Sequence, residues 1–120
     1  MVELECIING QPIYILIDPR YNLSYVSLRV VEACSLQRNK HTKAWLVQLS
    51  TGTKRKVAKI VEVCPIWMEG FQTRVDLNVL HLGSYDVFLG MDWLAAHKEK
   101  LNCYEKTLEC EDEEGNTRIL

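Results

Sequence analysis

The stretch ELECIINGQPIYILID, residues 3–18, decides the fold because it holds two apolar-rich segments joined at Asn9-Gly10. An Asn-Gly pair favours a tight turn between antiparallel strands, since both central residues of such a turn adopt positive φ. Residues 1–18 are therefore predicted to form a β-hairpin. Its second strand is apolar almost without interruption up to Asp18, so we expect a carboxylate at the end of a buried strand.

The next segments of the chain predict a helix and a second hairpin. In SLRVVEACSL, residues 27–36, Ser27 can cap a short helix whose apolar residues recur at helical spacing. The segments AWLVQLS and KRKVAKIVEV flank a turn-prone tetrad, which predicts a hairpin over residues 44–63. The tip of this hairpin should be solvated and positively charged, because Lys54, Arg55 and Lys56 follow the tetrad.

The rest of the chain continues the β pattern. CPIWMEG and FQTRVDLNVLHL predict a third pair of segments that turns near Glu69-Gly70. A short strand in YDVFLG and one or two helical turns in MDWLAAHK predict a strand-to-helix corner over residues 85–97. A last hairpin is predicted over residues 101–120, with turns at Tyr104-Glu105-Lys106 and Gly115-Asn116. The chain should be a single, mainly β domain, residues 1–120, with two short helices.

Composition excludes several broad classes of protein. The chain has 120 residues, 14 basic against 16 acidic, and a net charge of −2, which does not favour nucleic acid or a membrane surface as the main partner. No run of about 18 apolar residues could span a bilayer, and the start MVELECIING lacks the layout of a secretion signal. A cytoplasmic protein is the expectation.

Cysteines and histidines could in principle bind a metal. The five cysteines form no CxxC pair, and no two of the cysteines and histidines have the spacing of zinc ligands. Reduced, mostly buried thiols are the favoured interpretation, and no metal or other cofactor is expected.

Most catalytic motifs are missing from the sequence. It contains no phosphate-binding glycine loop, no HExxH, no GxSxG and no Cys-His pair in a nucleophilic context. The basic residues 54–56 are more typical of a solvated turn than of a nucleic-acid contact. What remains is the carboxylate of Asp18 at the end of an apolar strand, and an acid before a proline more commonly just begins a turn.

Two longer segments resemble the proteases of plant gypsy-class LTR retrotransposons. YILIDPRYNLSYVSLRVVEACSL, residues 14–36, is similar to their first catalytic stretch, and LGSYDVFLGMDWL, residues 82–94, resembles their closing stretch more specifically. The segment VQLSTGTKRKV lies where this family has its flap. The similarity covers almost the whole chain in the same order.

The resemblance implies a retropepsin-like closed β-barrel that works as a homodimer. Each subunit of such an enzyme supplies one aspartate, here Asp18, and the two acids share one proton while they activate water and polarise the peptide carbonyl. It also implies that a peptide or polyprotein segment binds beneath two flaps. The corresponding flap residues here are Ser50, Thr51, Gly52 and Thr53.

Two other aspartates lie in the closing stretch. The resemblance implies that Asp86 and Asp92 are structural and that Leu89-Gly90 packs under the catalytic loop. Asp92 also lies near a predicted helix start, where a carboxylate is favourable. Neither is expected to complete a catalytic pair within one chain.

The active-site motif departs from the family pattern. Where the family has Asp-Ser-Gly or Asp-Thr-Gly, this chain has Asp18-Pro19-Arg20. Pro19 has no hydroxyl to brace the catalytic loops across the dimer, and Arg20 brings a bulky cation to the place of a glycine. An arginine beside Asp18 would also favour the ionised carboxylate over the shared proton. The hypothesis is a degenerate protease with little or no peptidase activity.

Alternative functions stay open at this point. The domain could be a weakly active aspartic endopeptidase that processes a polyprotein through Asp18. It could instead be a domesticated dimerisation or peptide-binding module, or an inactive copy in which Pro19 and Arg20 record decay. The groove beneath the hairpin tip is the binding surface that the second alternative requires.

Overall fold

The computed structural model describes residues 2–48, 52–82, 85–97, 100–102, 107–111 and 113–119, with the side chains of 100–102 and 107–111 excepted. In chain order the elements are β1 (Val2–Ile8), β2 (Gln11–Ile17), β3 (Tyr25–Ser27), α1 (Leu28–Ala33), β4 (Asn39–Gln48), β5 (Lys54–Met68), β6 (Phe71–Leu80), β7 (Val87–Leu89), α2 (Met91–Ala96), β8 (Lys100–Asn102), β9 (Thr107–Glu111) and β10 (Thr117–Ile119).

Six strands close into a barrel. Their hydrogen-bonded order is β1-β2-β7-β3-β6-β5, and β5 pairs back onto β1. Two of these pairings, β2 with β7 and β3 with β6, are parallel, and the others are antiparallel. β4 extends the sheet beyond β5, and β8, β9 and β10 form a separate antiparallel sheet. This architecture confirms the predicted mainly β, closed-barrel fold with two short helices.

Local sequence signals account for the first hairpin and the first helix. Ile8 lies opposite Gln11, and the two residues between them, Asn9 and Gly10, have φ of 49° and 77°. These are the positive φ angles that a two-residue hairpin turn needs. Ser27 caps α1, because its Oγ accepts a hydrogen bond from the N–H of Val30 at 3.2 Å. Both predictions are confirmed.

The middle of the chain differs from the prediction in how the strands divide. Residues 54–63 and 64–70 were predicted in separate hairpins, whereas β5 is one strand of 15 residues. Its pairing with β6 shifts register between Val61 and Cys64, and Val63 has φ of 49°. The reason is a β-bulge, which bends a strand without ending it. β4 also begins earlier than predicted, at Asn39 rather than at residue 44.

Two apolar clusters surround the strand that leads to Asp18. Ile15 and Ile17 point into the barrel core, whereas Leu16 packs on the opposite face in a second cluster. We call this second group the loop-side cluster; it consists of Leu16, Tyr21, Tyr25, Val57, Leu80, Leu82 and Phe88. Burial on both faces explains why the end of β2 is continuously apolar instead of alternating.

The C-terminal segment pairs as predicted in the part that the structure describes. Asn102 lies opposite Thr107 across β8 and β9, and Thr117 lies opposite Glu111 across β9 and β10. The predicted turn residues Tyr104, Glu105 and Lys106 lie outside the described residues. In the described ranges, no helix has the length and apolar character needed to cross a lipid bilayer.

Candidate active site

Asp18 lies directly after β2, where the chain leaves the barrel. Its backbone N–H donates to the carbonyl oxygen of Leu89 in the neighbouring β7 at 2.9 Å. The side chain is only 1% exposed. The structure therefore places this carboxylate in a buried position at the end of a core strand, as its sequence position predicted.

Arg20 covers the Asp18 carboxylate from the solvent side. The Arg20 Nε lies 3.0 Å from both carboxylate oxygens, and its Nη2 donates to Oδ2 at 2.7 Å. The backbone N–H of Arg20 donates to Oδ1 at 3.0 Å. The Arg20 side chain is itself 62% exposed. One residue thus supplies a forked, charge-assisted clasp to the Asp18 carboxylate.

This clasp controls the protonation of Asp18. The side-chain hydrogen bonds from Arg20 lower the pKa of Asp18 below its ordinary value, and the backbone hydrogen bond and the positive charge act in the same direction. Burial opposes them, because it disfavours the charged form, but it is the weaker influence. At neutral pH the carboxylate is therefore ionised and bound to Arg20.

Pro19 and Arg20 form the centre of a β-turn. The N–H of Tyr21 donates to the carbonyl oxygen of Asp18 at 3.3 Å, which makes Asp18 the first residue of the turn and Pro19 the second. Proline suits the second position, because its fixed φ matches the turn. The simple interpretation of Asp18 as the start of an Asp-Pro turn is therefore correct as well, and the turn folds Arg20 back onto the carboxylate.

The loop after this turn rests on the corner between β7 and α2. The N–H groups of Met91 and Asp92 donate to the carbonyl oxygens of Tyr21 and Asn22 at 2.7 and 3.0 Å. A Cβ placed on Gly90 would overlap the carbonyl oxygen of Leu23. The corner can approach the loop this closely only because residue 90 has no side chain.

Asp92 pins the same loop through side-chain hydrogen bonds. Its Oδ1 accepts from the Ser24 hydroxyl at 2.6 Å, and its Oδ2 accepts from the Ser24 N–H at 3.1 Å. The Ser24 Oγ in turn accepts from the N–H of Gly90 at 3.0 Å. The position of Asp92 in the first turn of α2 was predicted, but nothing in the sequence pointed to Ser24 as its partner.

Asp86 also accepts hydrogen bonds from distant segments of the fold. Its Oδ1 accepts from Nη2 of Arg29 at 2.5 Å, and its Oδ2 accepts from the N–H of Tyr14 at 3.0 Å. These contacts join β2, α1 and the segment before β7. Both later aspartates therefore hold the fold together, in line with the structural role that the resemblance implied for them.

A third set of polar contacts was missed by the sequence reasoning. The backbone and side-chain nitrogens of Asn78 both donate to the carbonyl oxygen of Ser24, at 3.0 and 3.1 Å. The Asn78 Oδ1 lies 2.9 Å from Nε2 of His41. This chain of contacts links the loop after Asp18 through β6 to β4. An asparagine in an alternating strand is an ordinary surface residue in sequence, so no signal marked it.

The hairpin of β4 and β5 is anchored beside the Asp18 loop. Val57 belongs to the loop-side cluster, which also contains Tyr21, and Trp45 and Val47 pack against that cluster. Of the predicted flap residues, Gly52 is exposed with φ of 87° and Thr53 is partly buried. Ser50 and Thr51 lie outside the described residues. The base of the predicted flap thus contacts the segment that follows the candidate catalytic residue.

Three cysteines are described with their side chains, and all are free and buried. Burial raises the pKa of Cys6 to about 12 and that of Cys64 to about 11, and it raises the pKa of Cys34 as well. Such thiols are poor nucleophiles and poor metal ligands. Among the described residues, no group of three His, Cys, Asp or Glu side chains could hold a metal ion.

Known proteins with a similar sequence or fold agree on one family. The family model described as retroviral aspartyl protease matches residues 1–116. Protein DDI1 homolog 1 of Mus musculus is 24% identical over 108 residues, which are 90% of this chain and 26% of that protein. Protein DDI1 homolog 1 of Homo sapiens is also 24% identical over 108 residues, with 27% of its length covered. The chain thus spans about a quarter of the length of these relatives.

A solved structure supports the fold independently. The retroviral protease-like domain of Ddi1 from Leishmania major superimposes with a TM-score of 0.75 at 17% sequence identity. The alignment covers all of this chain and 94% of that domain, so the fold is shared over the whole length. With a family model that matches 116 of 120 residues and a barrel of the same architecture, this chain belongs to the retroviral aspartyl protease family.

Proposed function

We propose that this domain is a degenerate aspartic protease that forms a homodimer, binds a peptide in the groove between its subunits and has little or no peptidase activity. The observation that carries the proposal is the clasp of Arg20 on Asp18, because it occupies the one carboxylate that the family chemistry would use. A retrotransposon polyprotein remains our proposed origin for the domain, on the basis of the segments 14–36 and 82–94.

The clasp conflicts with the chemistry of a carboxylate pair. One acid of such a pair must hold a proton to polarise the peptide carbonyl, while the other is ionised and activates water. In a dimer of this chain each Asp18 would bring its own Arg20, and each arginine lowers the pKa of its partner. Both carboxylates would then be ionised and hydrogen-bonded to guanidinium groups, so neither could act as the acid.

The clasp also takes up hydrogen-bonding capacity that a catalytic water would need. Both oxygens of Asp18 accept hydrogen bonds from Arg20, and the Asp18 side chain is 1% exposed. Pro19 removes a second interaction. It has neither a hydroxyl nor an N–H with which to form a hydrogen bond to the catalytic loop of the other subunit. The loop after the turn is nevertheless held by Ser24, Gly90 and Asp92. The supporting scaffold is therefore intact beneath an altered catalytic motif.

That intact scaffold favours a second candidate, a weakly active endopeptidase. If Arg20 swings away when a peptide binds, two Asp18 carboxylates could still share a proton across the dimer. The exposed position of the guanidinium gives it room to move. This candidate requires that one of the two Asp18 carboxyl groups is protonated near the working pH.

Restoring the family motif separates the two candidates. The parent chain, the double variant Pro19→Ser with Arg20→Gly, and the triple variant that adds Asp18→Asn are assayed against a library of fluorogenic peptides. We expect a silent parent, turnover in the double variant, and loss of that turnover in the triple variant. Turnover by the parent that Asp18→Asn abolishes would instead establish the weakly active enzyme.

The dimer is tested separately, because a strict monomer cannot carry a site of two aspartates. Sedimentation velocity over a concentration series should show a reversible monomer–dimer equilibrium. The double variant should dimerise more tightly, since the hydroxyl that Pro19→Ser introduces can bond across the two-fold axis where the proline ring cannot. A parent and a double variant that both stay monomeric at the highest concentration would contradict the proposed homodimer.

A further inference from the structure

The charges of this chain are distributed very unevenly. Residues 33–61 contain seven of the 14 Lys and Arg residues and none of the 16 Asp and Glu residues. This segment includes all of β4 and the first half of β5, so a chain of net charge −2 carries a strongly cationic hairpin. An excess of one sign on one element raises the local concentration of oppositely charged partners.

The strand register places the three cations near the tip of the β4–β5 hairpin, Lys54, Arg55 and Lys56, on two different faces. Arg55 lies opposite Val47, and Val57 lies opposite Trp45. Because alternate residues of a strand share a face, these four lie on the inner face, which packs on the loop-side cluster. Lys54 and Lys56, opposite Gln48 and Leu46, lie on the outer face.

Arg55 is the inner-face residue that continues from the packed base toward the tip. Val57 is fully buried, whereas Arg55, two residues closer to the tip, is exposed. Among the residues that the structure describes, no ion pair to Arg55 occurs. Arg55 therefore lies on the same face as Val47 and Val57 but beyond the packed base of the hairpin, where its side chain is exposed.

The outer cations have a simpler explanation. β4 is at the edge of its sheet, and charged side chains on an edge hairpin discourage pairing with other chains. This explanation suits exposed lysines such as Lys40, Lys54 and Lys56. It accounts less well for Arg55, which is exposed but lies on the same strand face as the buried Val57.

We propose that the groove under the β4–β5 hairpin selects peptides with an acidic side chain, and that Arg55 is the residue that recognises the carboxylate. The inference rests on the proposed peptide-binding function and names its substrate class. A guanidinium beside apolar surface pairs well with a carboxylate in fork-to-fork geometry, and the six other cations of residues 33–61 attract an acidic segment.

A peptide fits this surface better than a nucleic acid does. Single strands bind through exposed aromatic side chains on which bases stack. Trp45, an aromatic residue of the described hairpin, is partly buried against the loop-side cluster and lies 4.6 Å, ring centre to ring centre, from His41. Part of its ring surface is thus already covered. The apolar inner face suits the side chains of an extended peptide instead.

The experiment compares matched peptides and matched variants. Short fluorescein-labelled peptides of Ala, Val and Tyr carry a single Glu or a single Gln at each position in turn, and binding to the parent is measured by fluorescence anisotropy at low and moderate salt. We expect Glu to tighten binding about threefold to tenfold over Gln at one position of the peptide. Arg55→Gln should remove this preference, whereas Lys56→Gln, the same change on the outer face, should preserve it.

Each other outcome overturns a defined part of the inference. Equal binding of Glu and Gln peptides would contradict the acidic selectivity but not the binding of peptides in the groove. If Arg55→Gln and Lys56→Gln weakened the preference for Glu peptides equally, that preference would reflect general attraction by the cationic hairpin and not recognition by Arg55. Failure of every peptide to bind would contradict the proposed function itself. A labelled single-stranded oligonucleotide that displaces the Glu peptide, and whose binding depends on Lys54 and Lys56, would make nucleic acid the occupant.

Both variants keep their fold under this design. Arg55 and Lys56 are exposed neighbours on one strand, so their substitution by Gln should leave the thermal unfolding curve unchanged within error. A loss of preference with an unchanged unfolding curve then reports recognition rather than damage to the hairpin.

Discussion

Asp18 and Asp92 flank the same loop and are held in opposite ways. Asp18 is buried, and the hydrogen bonds to its side chain come from Arg20, a residue two positions away in the chain. Asp92 lies at the start of α2 and accepts hydrogen bonds from Ser24, which is 68 residues distant. The first carboxylate is neutralised by a local cation, whereas the second is held by a hydroxyl and an N–H across the fold.

The comparison shows that the residues that set the chemistry of the site are different from the residues that hold its loop in place. A local pair can be created or removed by a single substitution without changing the barrel, so the reactivity of Asp18 can be lost while the fold persists. The Ser24–Asp92 contact joins two distant segments, and its loss would release the loop from β7 and α2. We therefore expect substitutions at the corner to affect stability and substitutions at Arg20 to affect protonation.

The largest effect is expected at Gly90. In Gly90→Ala the new methyl group would overlap the backbone oxygen of Leu23 and lie 2.6 Å from that of Tyr21, so the loop must move away from the corner. We expect a loss of about 3 kcal/mol in the free energy of unfolding, measured by urea denaturation. Gly70→Ala is the control: its methyl group meets no atom within 4 Å, and only the positive φ of 83° is strained. That variant should lose about 1 kcal/mol, and equal losses would contradict the close-approach argument.

A smaller loss is expected when Asp92 is changed to Asn. The amide keeps the shape of the carboxylate but has one acceptor oxygen, so one of the two Ser24 donors loses its partner. The free energy of unfolding should fall by about 1–3 kcal/mol. A double-mutant cycle with Ser24→Ala should show that the two losses are not additive. Additive losses would mean that the two residues act independently.

Removing the clasp should change the pH dependence of stability more than stability itself. The pKa of Asp18 is depressed in the folded chain, so its contribution is present above the unfolded value of about 3.9 and is lost as pH falls through the folded pKa. In Arg20→Ala the side-chain hydrogen bonds and the positive charge that lower the pKa of Asp18 are lost, so this pKa should rise from its value in the parent. NMR titration of the Asp18 carboxyl carbon measures this directly.

The control for that titration is Arg20→Lys, which keeps the charge but loses the forked geometry. Its Asp18 pKa should lie between those of the parent and Arg20→Ala. An unchanged Asp18 pKa in Arg20→Ala would show that the clasp does not govern protonation, and the main argument for an inactive site would fail.

The smallest effect is expected at the pair of Arg29 and Asp86. The Arg29 side chain is 66% exposed, so its attraction to the carboxylate is weakened by solvent. Arg29→Ala should lower the free energy of unfolding by no more than about 1 kcal/mol, measured by urea denaturation at low salt. A larger loss would mean that this pair, and not the Ser24–Asp92 contact, holds the strands beside the loop.

The parts of the site that could be predicted are those governed by neighbours in the chain. The Asn9-Gly10 turn, the Ser27 cap and the position of Asp18 at the end of a buried strand follow from residue type and local pattern, and the structure confirms all three. The division of residues 54–70 into two strands was wrong. A bulge at Val63 interrupts the alternation in the same way that a strand end does, so the pattern could not distinguish them.

Contacts between distant segments could not be predicted in the same way. In sequence, Ser24 is an ordinary loop serine and Asn78 an ordinary surface residue of a strand, because nothing near them in the chain indicates their partners. The resemblance placed Leu89-Gly90 under the catalytic loop, and the structure bears this out through the hydrogen bond from Asp18 to Leu89. The resemblance did not identify the Ser24 hydroxyl, which accepts from the N–H of Gly90 and donates to Asp92.

By itself, the sequence determined a mainly β domain whose single candidate acid ends a buried strand and is followed by a proline and an arginine. These features depend on φ preferences and apolar pattern, which act over a few residues. Only the tertiary structure decided that Arg20 folds back to clasp Asp18, that Arg55 lies on the inner face of the hairpin, and that Ser24 meets Asp92. The physical reason is that a turn, a strand register and a closed barrel fix where side chains point, and spacing along the chain does not.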